Sequence, residues 1–171
     1  SMIRPAQKDD LPAILAIYND AILHTTAVYD YTPHTLAERI RWFESHQAAG
    51  FPVFVYGDKH IIMGFAAYGS FRDWPAYKYT IEHSIYVHPD YRRRGVARQL
   101  MEKLIATATE AEYAAMVAGI DSQNAGSIRL HEQLGFKNTG TIQKAGFKFG
   151  RWLDLVFFQR LLDGPKHPTE E

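Results

Sequence analysis

The sequence predicts one α/β or α+β domain, and three observations support this. The length of 171 residues fits about one domain. Apolar residues follow helical or strand spacing in the order helix, helix, three strands, helix, strand, helix, two strands. No internal repeat or linker divides the chain. We therefore expect residues 2–162 to form a single domain and residues 163–171 to form a polar tail, and we leave Ser1, which precedes Met2, out of the domain.

Hydrophobic spacing and capping residues predict the elements in order. Apolar residues recur at helical spacing between positions 11 and 22, after Asp9 or Asp10 as an N-cap, and Thr35 with Glu38 forms a possible capping box. Short runs of β-forming residues, several of them with alternating polarity, predict the strands. The predicted helices cover about 9–24, 35–50, 95–109 and 125–134, and the predicted strands cover 52–56, 61–68, 79–87, 114–120, 141–143 and 152–162.

The composition excludes several kinds of chemistry and partner. The chain has 19 Lys and Arg against 19 Asp and Glu, so its formal charge is zero, and it has no cysteine. Disulfides, thiolate zinc sites and thiol nucleophiles are therefore excluded. A neutral chain lacks the net basic field of dedicated nucleic-acid binders, and no apolar run reaches the roughly 20 residues of a membrane helix. We expect a cytoplasmic protein without a metal, nucleic-acid or membrane partner.

The segment after the strand at 79–87 predicts an anion site. A short loop with three consecutive arginines leads into a helix that opens with Gly95 and Ala97. Free N–H groups in the first turn of a helix, together with the positive end of its dipole, bind phosphate oxygens. Neither a Walker motif nor a GxGxxG motif is present, so the common nucleotide fingerprints do not explain the loop. From the loop alone, a solvated charge run or a small nucleic-acid patch is an equally good interpretation.

The loop resembles a signature of the GCN5-related N-acetyltransferases, Arg/Gln-x-x-Gly-x-Gly/Ala, which reads here Arg92-x-x-Gly95-x-Ala97. In that superfamily the next strand-to-helix junction also contacts the cofactor, and Asn124 and Ser127 lie there. Nearly the whole chain is similar to one branch, the phosphinothricin and methionine sulfone or sulfoximine acetyltransferases. The segments that carry this likeness include TIEHSIYV at 80–87, LHE at 130–132 and GFKFGRWLD at 146–154, and LGF at 134–136 matches a frequent terminal motif of the superfamily.

The resemblance implies a fold and a cofactor site. The implied fold is a mixed, mostly antiparallel sheet with a V-shaped splay, and acetyl-CoA lies in the cleft. Backbone groups of the strand bind the pantetheine arm, the amides of the arginine loop surround the diphosphate, and the next junction contacts the cofactor from its far side. The residues implied to bind acetyl-CoA are Ile85, Tyr86, Val87, Arg92, Arg93, Arg94, Gly95, Val96, Ala97, Arg98, Asn124 and Ser127.

Glu82 is the candidate general base. Acetyl transfer to an amine that is protonated near pH 7 needs a group that removes a proton. Glu82 lies in the middle of a predicted strand, three residues before the segment expected to bind the cofactor. Partial desolvation would raise its pKa toward neutrality, and the resemblance assigns this glutamate the role of base. The alternative is an exposed strand-face glutamate paired with a lysine or arginine.

His131 is the second catalytic candidate. It lies seven residues after Asn124, about two helical turns along the same face, where it would relay protons or orient the acceptor. The alternative is a histidine that is only packed or solvated.

The acceptor site is expected around residues 71–77, where one arginine lies among aromatic residues. Arg72 would bind an acid group through two hydrogen bonds while Trp74 covers an alkyl chain. The alternative is an ordinary surface loop whose aromatic residues cover the core. The expected acceptor-binding residues are Arg72, Asp73, Trp74, Glu82, His83, Ser84 and Lys148.

These features together predict an N-acetyltransferase that moves the acetyl group of acetyl-CoA to the α-amine of a small amino-acid analogue. Transfer would occur by direct attack, since no cysteine can carry the acetyl group. The resemblance also implies a homodimer, for which the aromatic segment at 147–158 is suited. The alternatives are a protein or peptide N-acetyltransferase, a non-catalytic acyl-CoA-binding module, and a nucleic-acid contact through the arginine run.

Overall fold

Seven β-strands and four α-helices make up the described part of the chain, residues 2–171 of the computed structural model, and Ser1 lies outside the described residues. The strands are β1 (Ile3–Pro5), β2 (Val53–Gly57), β3 (Ile62–Ser70), β4 (Thr80–Val87), β5 (Ala115–Asp121), β6 (Lys137–Lys148) and β7 (Arg151–Leu161). The helices are α1 (Leu11–His24), α2 (Leu36–Ala49), α3 (Val96–Glu110) and α4 (Ala125–Gln133). Within residues 2–171, no helix has both the length and the apolar character that crossing a membrane requires.

The seven strands form one mixed sheet in the order β1-β2-β3-β4-β5-β7-β6. β4 and β5 are parallel, with Glu82 opposite Val117. β1 with β2, β2 with β3, β5 with β7 and β6 with β7 are antiparallel. The prediction of a mixed and mostly antiparallel sheet is confirmed. A parallel pair needs a long crossover connection, and α3 lies in the connection between β4 and β5.

Capping residues define the helix ends that the sequence predicts. α2 begins after a capping box in which Thr35 Oγ1 accepts the Glu38 N–H at 3.2 Å and Glu38 Oε1 accepts the Thr35 N–H at 3.0 Å. It ends at Gly50, whose φ of 76° is left-handed and therefore favours glycine. α1 begins at Leu11, later than predicted, because residues 8–10 form a 3₁₀ turn.

The strands depart further from the prediction. β1 was not predicted, since it has only three residues and exists through its pairing with β2. β6 runs over 12 residues where the sequence predicts a strand only at 141–143. Nearly all of β6 is exposed, so it lacks the apolar alternation that marks a half-buried strand. Its pairing with β7 from Lys137 to Lys148 defines it instead.

One compact unit comprises the described residues up to Tyr68 together with Ser84–Met101. Its core packs the apolar face of α1 with β2, β3 and Phe43 of α2. Ile14 and Val55 have no exposed surface, and Phe65 is 1% exposed. Full burial of a side chain of this size contributes roughly 1.5–3 kcal/mol of transfer free energy. The core therefore fixes α1 and α2 against these strands.

The second compact unit comprises Gly69–His83 and Glu102–Glu171. Its buried side chains include Met116 of β5 and Leu153 and Phe158 of β7. The C-terminal tail is polar and has no regular secondary structure, and hydrogen bonds bind it to this unit. The Thr169 N–H donates to the Tyr79 hydroxyl at 3.0 Å, and Lys78 Nζ donates to the Glu171 carbonyl at 2.7 Å.

Asp10 is a buried carboxylate that Arg4 holds in place. Arg4 Nη1 donates to Asp10 Oδ2 at 2.7 Å and Arg4 Nη2 donates to Oδ1 at 2.8 Å. The Gln7 N–H donates to Oδ2 as well, at 2.8 Å. The hydrogen bonds from Arg4, with that from Gln7, hold the pKa of Asp10 below its ordinary value despite burial. The pair thereby fixes β1 to the residue that precedes α1.

Replacing Arg4 by Met is expected to reduce the free energy of unfolding at pH 7 by about 1–2 kcal/mol, because Asp10 loses charge-assisted hydrogen bonds but stays buried. A carboxyl with a depressed folded-state pKa stabilises the protein above its unfolded pKa of about 4 and loses that effect as the pH falls through the folded value. In urea unfolding, the difference between wild type and Arg4→Met should therefore shrink as the pH falls below about 4. A difference that stays constant over this range would contradict the assignment.

Candidate active site

The loop between β4 and α3 has the backbone geometry of an anion-binding loop. After a 3₁₀ turn over Pro89–Tyr91, Arg93 takes a left-handed φ of 63° and Gly95 a φ of 77°. Within residues 2–171, the N–H groups of Gly95, Val96 and Ala97 have no backbone acceptor, as is usual in the first turn of a helix. A Cβ at Gly95 would meet only the end of the Gln99 side chain, at 3.8 Å, so the space beside this backbone is open.

The arginines of the loop are exposed and surround this open backbone. Arg92, Arg93 and Arg94 all face solvent. Arg92 Nη2 lies 3.9 Å from Asp20 Oδ2, and the Arg94 guanidinium lies 5.3 Å from the centre of the Tyr91 ring. Exposed cations and open amides together favour a polyanionic ligand such as a diphosphate.

The residues expected to bind the pantetheine arm, Ile85, Tyr86 and Val87, are half-buried at the end of β4. β4 ends at Val87, and the N–H of the next residue, His88, donates to the Met63 carbonyl of β3 at 2.7 Å. The end of β4 is therefore tied to β3 at the point where the anion-binding loop starts.

Glu82 is a half-buried carboxylate in the middle of β4. Burial raises the pKa of its carboxyl above the ordinary value, and the positive charge of Arg72 offsets part of that rise. The Glu82 carboxyl therefore gains and loses its proton at a pH closer to 7 than an ordinary glutamate does, which suits a general base. The structure agrees with the sequence hypothesis in this respect.

Gly119 is a further candidate site residue that the sequence reasoning missed. It is the exposed position in the otherwise buried strand β5. A Cβ placed there would lie 3.8 Å from Glu82 Oε2 and 3.1 Å from Leu155 Cδ1. The missing side chain leaves space beside the Glu82 carboxylate. A glycine inside an apolar strand often marks a close approach by a ligand or backbone, and this signal was present at position 119 in the sequence.

His83 and His131 form a buried pair. Their Nε2 atoms are 3.2 Å apart, and their rings stack with centres 5.3 Å apart. His131 Nδ1 lies 2.7 Å from the Ser127 carbonyl, which can only accept, so this nitrogen carries the proton and His131 Nε2 accepts from His83. This assignment of protons follows from the hydrogen-bond partners. Burial, with a smaller effect of His131, lowers the pKa of His83 to about 3, and burial also lowers that of His131.

Both ring nitrogens of His131 are therefore engaged, and the side chain is 6% exposed. His83 is equally buried, packs on Phe136, and has an Nδ1 atom with no hydrogen-bond partner within residues 2–171. Both histidines are neutral near pH 7, and they form a rigid support on the side of β4 opposite Glu82, since side chains alternate along a strand. A catalytic role for His131 and acceptor binding by His83 stay predictions.

The remaining predicted residues occupy varied surroundings. Asn124 is exposed, and its Oδ1 caps α4 by accepting the Ser127 N–H at 3.1 Å. Ser84 is half-buried in β4, and Lys148 is 4% exposed at the end of β6.

Arg72, Asp73 and Trp74 are exposed in the loop before β4, with Trp74 at 69%. Of this acceptor set, Arg72 is the residue whose charge acts on Glu82.

The fold and the loop match a known family. A model of the acetyltransferase (GNAT) family matches residues 13–136. The chain is 45% identical over 161 residues, 94% of each chain, to the L-methionine sulfoximine/L-methionine sulfone acetyltransferase of Salmonella typhimurium. It is 43% identical to the L-amino acid N-acyltransferase MnaT of Escherichia coli, over 97% of this chain and 96% of that one. The crystal structure of a phosphinothricin acetyltransferase from Sinorhizobium meliloti in complex with acetyl-CoA superposes with a TM-score of 0.94 and 36% identity, covering 98% of this chain and 92% of that one.

The chain therefore belongs to the acetyltransferase (GNAT) family, and it is an acetyl-CoA-dependent N-acetyltransferase. The family resemblance drawn from Arg92, Gly95 and Ala97 is confirmed. Acetyl-CoA, which supplies the acetyl group as an activated thioester, fits the loop because open amides and exposed arginines suit its diphosphate. Within residues 2–171, no group of three or more His, Asp or Glu side chains is arranged to hold a metal ion.

Replacing Gly119 by Val is expected to lower acetyl transfer by about tenfold or more, because a branched side chain fills the space beside Glu82 Oε2. The melting temperature shows whether the Leu155 side chain, 3.1 Å from the added Cβ, gives way to the valine. The rate is measured by release of the CoA thiol, and the melting temperature by circular dichroism. Gly119→Ala should give an intermediate rate. Full activity in Gly119→Val would show that this space is not used.

Proposed function

We propose that this enzyme acetylates the α-amine of small amino-acid analogues such as methionine sulfone, methionine sulfoximine or phosphinothricin. One observation carries the proposal, the half-buried Glu82 carboxylate with its raised pKa beside the open space at Gly119. Two relatives support the class of acceptor, because one is named for methionine sulfoximine and sulfone and another for phosphinothricin. A charged group such as Arg72 near the base suits an acceptor that carries a carboxylate.

Glu82 acts as the general base in this proposal. The α-amine of an amino acid is mostly an ammonium ion near pH 7, and it must lose a proton before its nitrogen can attack a carbonyl carbon. Glu82 removes that proton directly or through one water molecule. The amine then attacks the acetyl group without a covalent enzyme intermediate, since the chain has no cysteine to carry one.

The other predicted residues bind and position the two substrates. The amides and side chains of residues 92–98 bind the diphosphate, and the backbone of residues 85–87 binds the pantetheine arm. Asn124, whose Oδ1 already caps α4, has its Nδ2 available to the cofactor, and Ser127 lies beside it. Arg72 binds the acid group of the acceptor with Trp74 over its alkyl chain. The neutral pair of His83 and His131 holds β4, and so positions Glu82.

Residues 2–162 form one catalytic domain in this proposal, since the family match over 13–136 includes residues of both compact units. The expected cytoplasmic location stays a prediction, as does the expected lack of nucleic-acid and membrane partners.

Glu82→Gln is expected to lower turnover by at least about tenfold, because the amide cannot take the proton. In the wild type, kcat/KM should rise with pH through the raised pKa of Glu82, at a higher pH than the value of about 4.3 for an ordinary glutamate. This rise of kcat/KM with pH should be absent in Glu82→Gln. Thiol-release rates against pH test both points, and calorimetry should show unchanged acetyl-CoA affinity.

The matched control is Glu110→Gln, an exposed glutamate at the end of α3, which should keep the wild-type rate.

The same assay compares methionine sulfone, methionine sulfoximine and phosphinothricin with common amino acids and with a short peptide. Turnover of the peptide alone would overturn the class of acceptor. An unchanged rate in Glu82→Gln would overturn the base.

We further propose that the enzyme is a homodimer that pairs through the β6–β7 hairpin. This hairpin exposes five large apolar side chains, Ile142, Phe147, Phe149, Trp152 and Leu161, at 51%, 42%, 58%, 58% and 73%. The centres of the Phe147 and Trp152 rings are 5.1 Å apart, so the two rings form one apolar surface. Grouped apolar exposure of this kind marks interaction surfaces. A second copy of the chain would cover it, in line with the dimer implied by the family resemblance.

Sedimentation equilibrium should give twice the chain mass of 19.5 kDa for the wild type. Trp152→Glu should shift the protein to the monomer, because a charge in an apolar contact is costly to bury. Trp74→Glu is the matched control, since Trp74 is at least as exposed but lies outside the hairpin, and it should stay dimeric. A monomeric wild type, or a Trp152→Glu variant that stays dimeric, would refute this interface.

A further inference from the structure

The unit that contains α1, α2 and β3 holds a cavity whose walls from α1 and α2 have no role in the proposed mechanism. The cavity has a volume of about 400 Å³, which lies within the range of small-molecule pockets. Its walls include the rings of Tyr18, Trp42, Phe65 and Tyr86, and Ser84 of β4 also lines it. An aromatic cavity of this size suits a short aliphatic chain with a polar end.

Arg39 of α2 lines this cavity and is buried without a counter-ion. Its side chain is 3% exposed, and its guanidinium carbon lies 3.9 Å from the centre of the Tyr18 ring and 4.5 Å from that of Trp42. Within residues 2–171, its Nε has no hydrogen-bond partner, and no carboxylate forms an ion pair with it. Stacking on aromatic rings stabilises the charge in part. A buried N–H donor without an acceptor is nevertheless rare and costly in folded proteins.

Among the neighbours of Arg39 in the cavity wall, the Tyr18 side chain is hydrogen-bonded to Arg39 itself, and the other polar groups are already satisfied. Glu38 Oε1 accepts from the N–H and the hydroxyl of Thr35, at 3.0 and 3.1 Å. His34 Nε2 is bound to Asp30 Oδ2 at 2.8 Å. Arg41 also lines the cavity but is exposed to water. Arg39 is thus the buried donor of the wall that an oxygen atom from outside the chain would satisfy.

We propose that this cavity takes the oxygen-bearing side-chain end of the acceptor, and that the Arg39 guanidinium donates to a sulfonyl, sulfoximine or phosphinate oxygen. The inference rests on the proposed function, because it takes the acceptor to be an amino-acid analogue. Ser84 follows Glu82 by two residues in β4, a rise of about 7 Å along a strand. This is close to the length of an amino acid whose amine is at Glu82 and whose side chain reaches past Ser84. The aromatic walls surround the end of its side chain, beyond the part that Trp74 covers, and Arg39 makes the enzyme specific for an oxidised side chain.

The experiment compares methionine sulfone with methionine, which has the same skeleton without the two sulfonyl oxygens. Arg39→Met keeps an unbranched side chain and removes every donor. We expect kcat/KM for methionine sulfone to fall by about tenfold or more, mainly through KM, and kcat/KM for methionine to change by less than about threefold. Arg39→Lys keeps the charge but lacks Nε, and it should give an intermediate loss. Arg129→Met, an exposed arginine on α4, is the matched control and should keep wild-type kinetics.

Methionine sulfone amide, in which the carboxylate is replaced by a carboxamide, separates the two possible sources of the bound oxygen. The amide should remain as sensitive to Arg39→Met as the acid is. If only ligands with a free carboxylate lose affinity, Arg39 binds the carboxylate and the assignment to the side chain is overturned. If methionine and methionine sulfone lose affinity equally, Arg39 has only a structural role and the proposal fails.

Two further measurements keep the outcomes distinct. Melting curves show whether Arg39→Met is folded, and where it is not, Arg39→Lys carries the comparison. If the wild type acetylates none of these amines, the proposed function fails. Calorimetric titration of wild type and Arg39→Lys with methionine sulfone then still tests the cavity. Equal binding of methionine sulfone and methionine by the wild type would overturn the inference.

Discussion

The parallel pairing of β4 with β5 is the constraint on which the arrangement of the active site depends. Two parallel neighbours cannot be joined by a tight turn, so the chain must leave the end of β4 and return by a long crossover. α3 lies in that crossover, and its first turn follows β4 after a short arginine loop. The open amides of a helix N-terminus therefore lie directly after the strand that carries Glu82. The same pairing places Glu82 opposite Val117, two residues before Gly119.

Buried polar groups in this enzyme are of two kinds, and the difference indicates which of them support the fold. Asp10 accepts two hydrogen bonds from Arg4 and one from Gln7, so its charge is fully compensated. His83 and His131 avoid the cost of a buried charge by staying neutral, and His83 donates one hydrogen bond to His131, although His83 Nδ1 has no hydrogen-bond partner within residues 2–171. Glu82 and Arg39 are incompletely compensated. Groups that the protein itself leaves unsatisfied are the ones that a substrate can complete.

Local sequence signals predicted the helices and the cofactor loop. The capping box at Thr35 and Glu38, and the glycine at 95, act over a few residues, so they are visible without tertiary context. β6 could not be predicted, because its residues are polar and exposed and its partner β7 lies beyond the next turn. Arg39 was missed for a related reason. An arginine on a helix is usually solvated, and only the packing of Tyr18 and Trp42 around it shows that this one is buried.

The sequence by itself determined the family and predicted the acetyl-CoA loop and the general base, since these signals lie in short contiguous motifs whose chemistry depends on neighbouring residues. Tertiary structure alone decided which polar groups are desolvated and what they contact. It engaged both nitrogens of His131, buried His83, left space at Gly119 beside Glu82, and enclosed Arg39 in an aromatic cavity. Burial depends on residues far apart in the chain, and burial controls the pKa of a carboxyl and the availability of a donor. Specificity for the acceptor is therefore a property of the packed molecule.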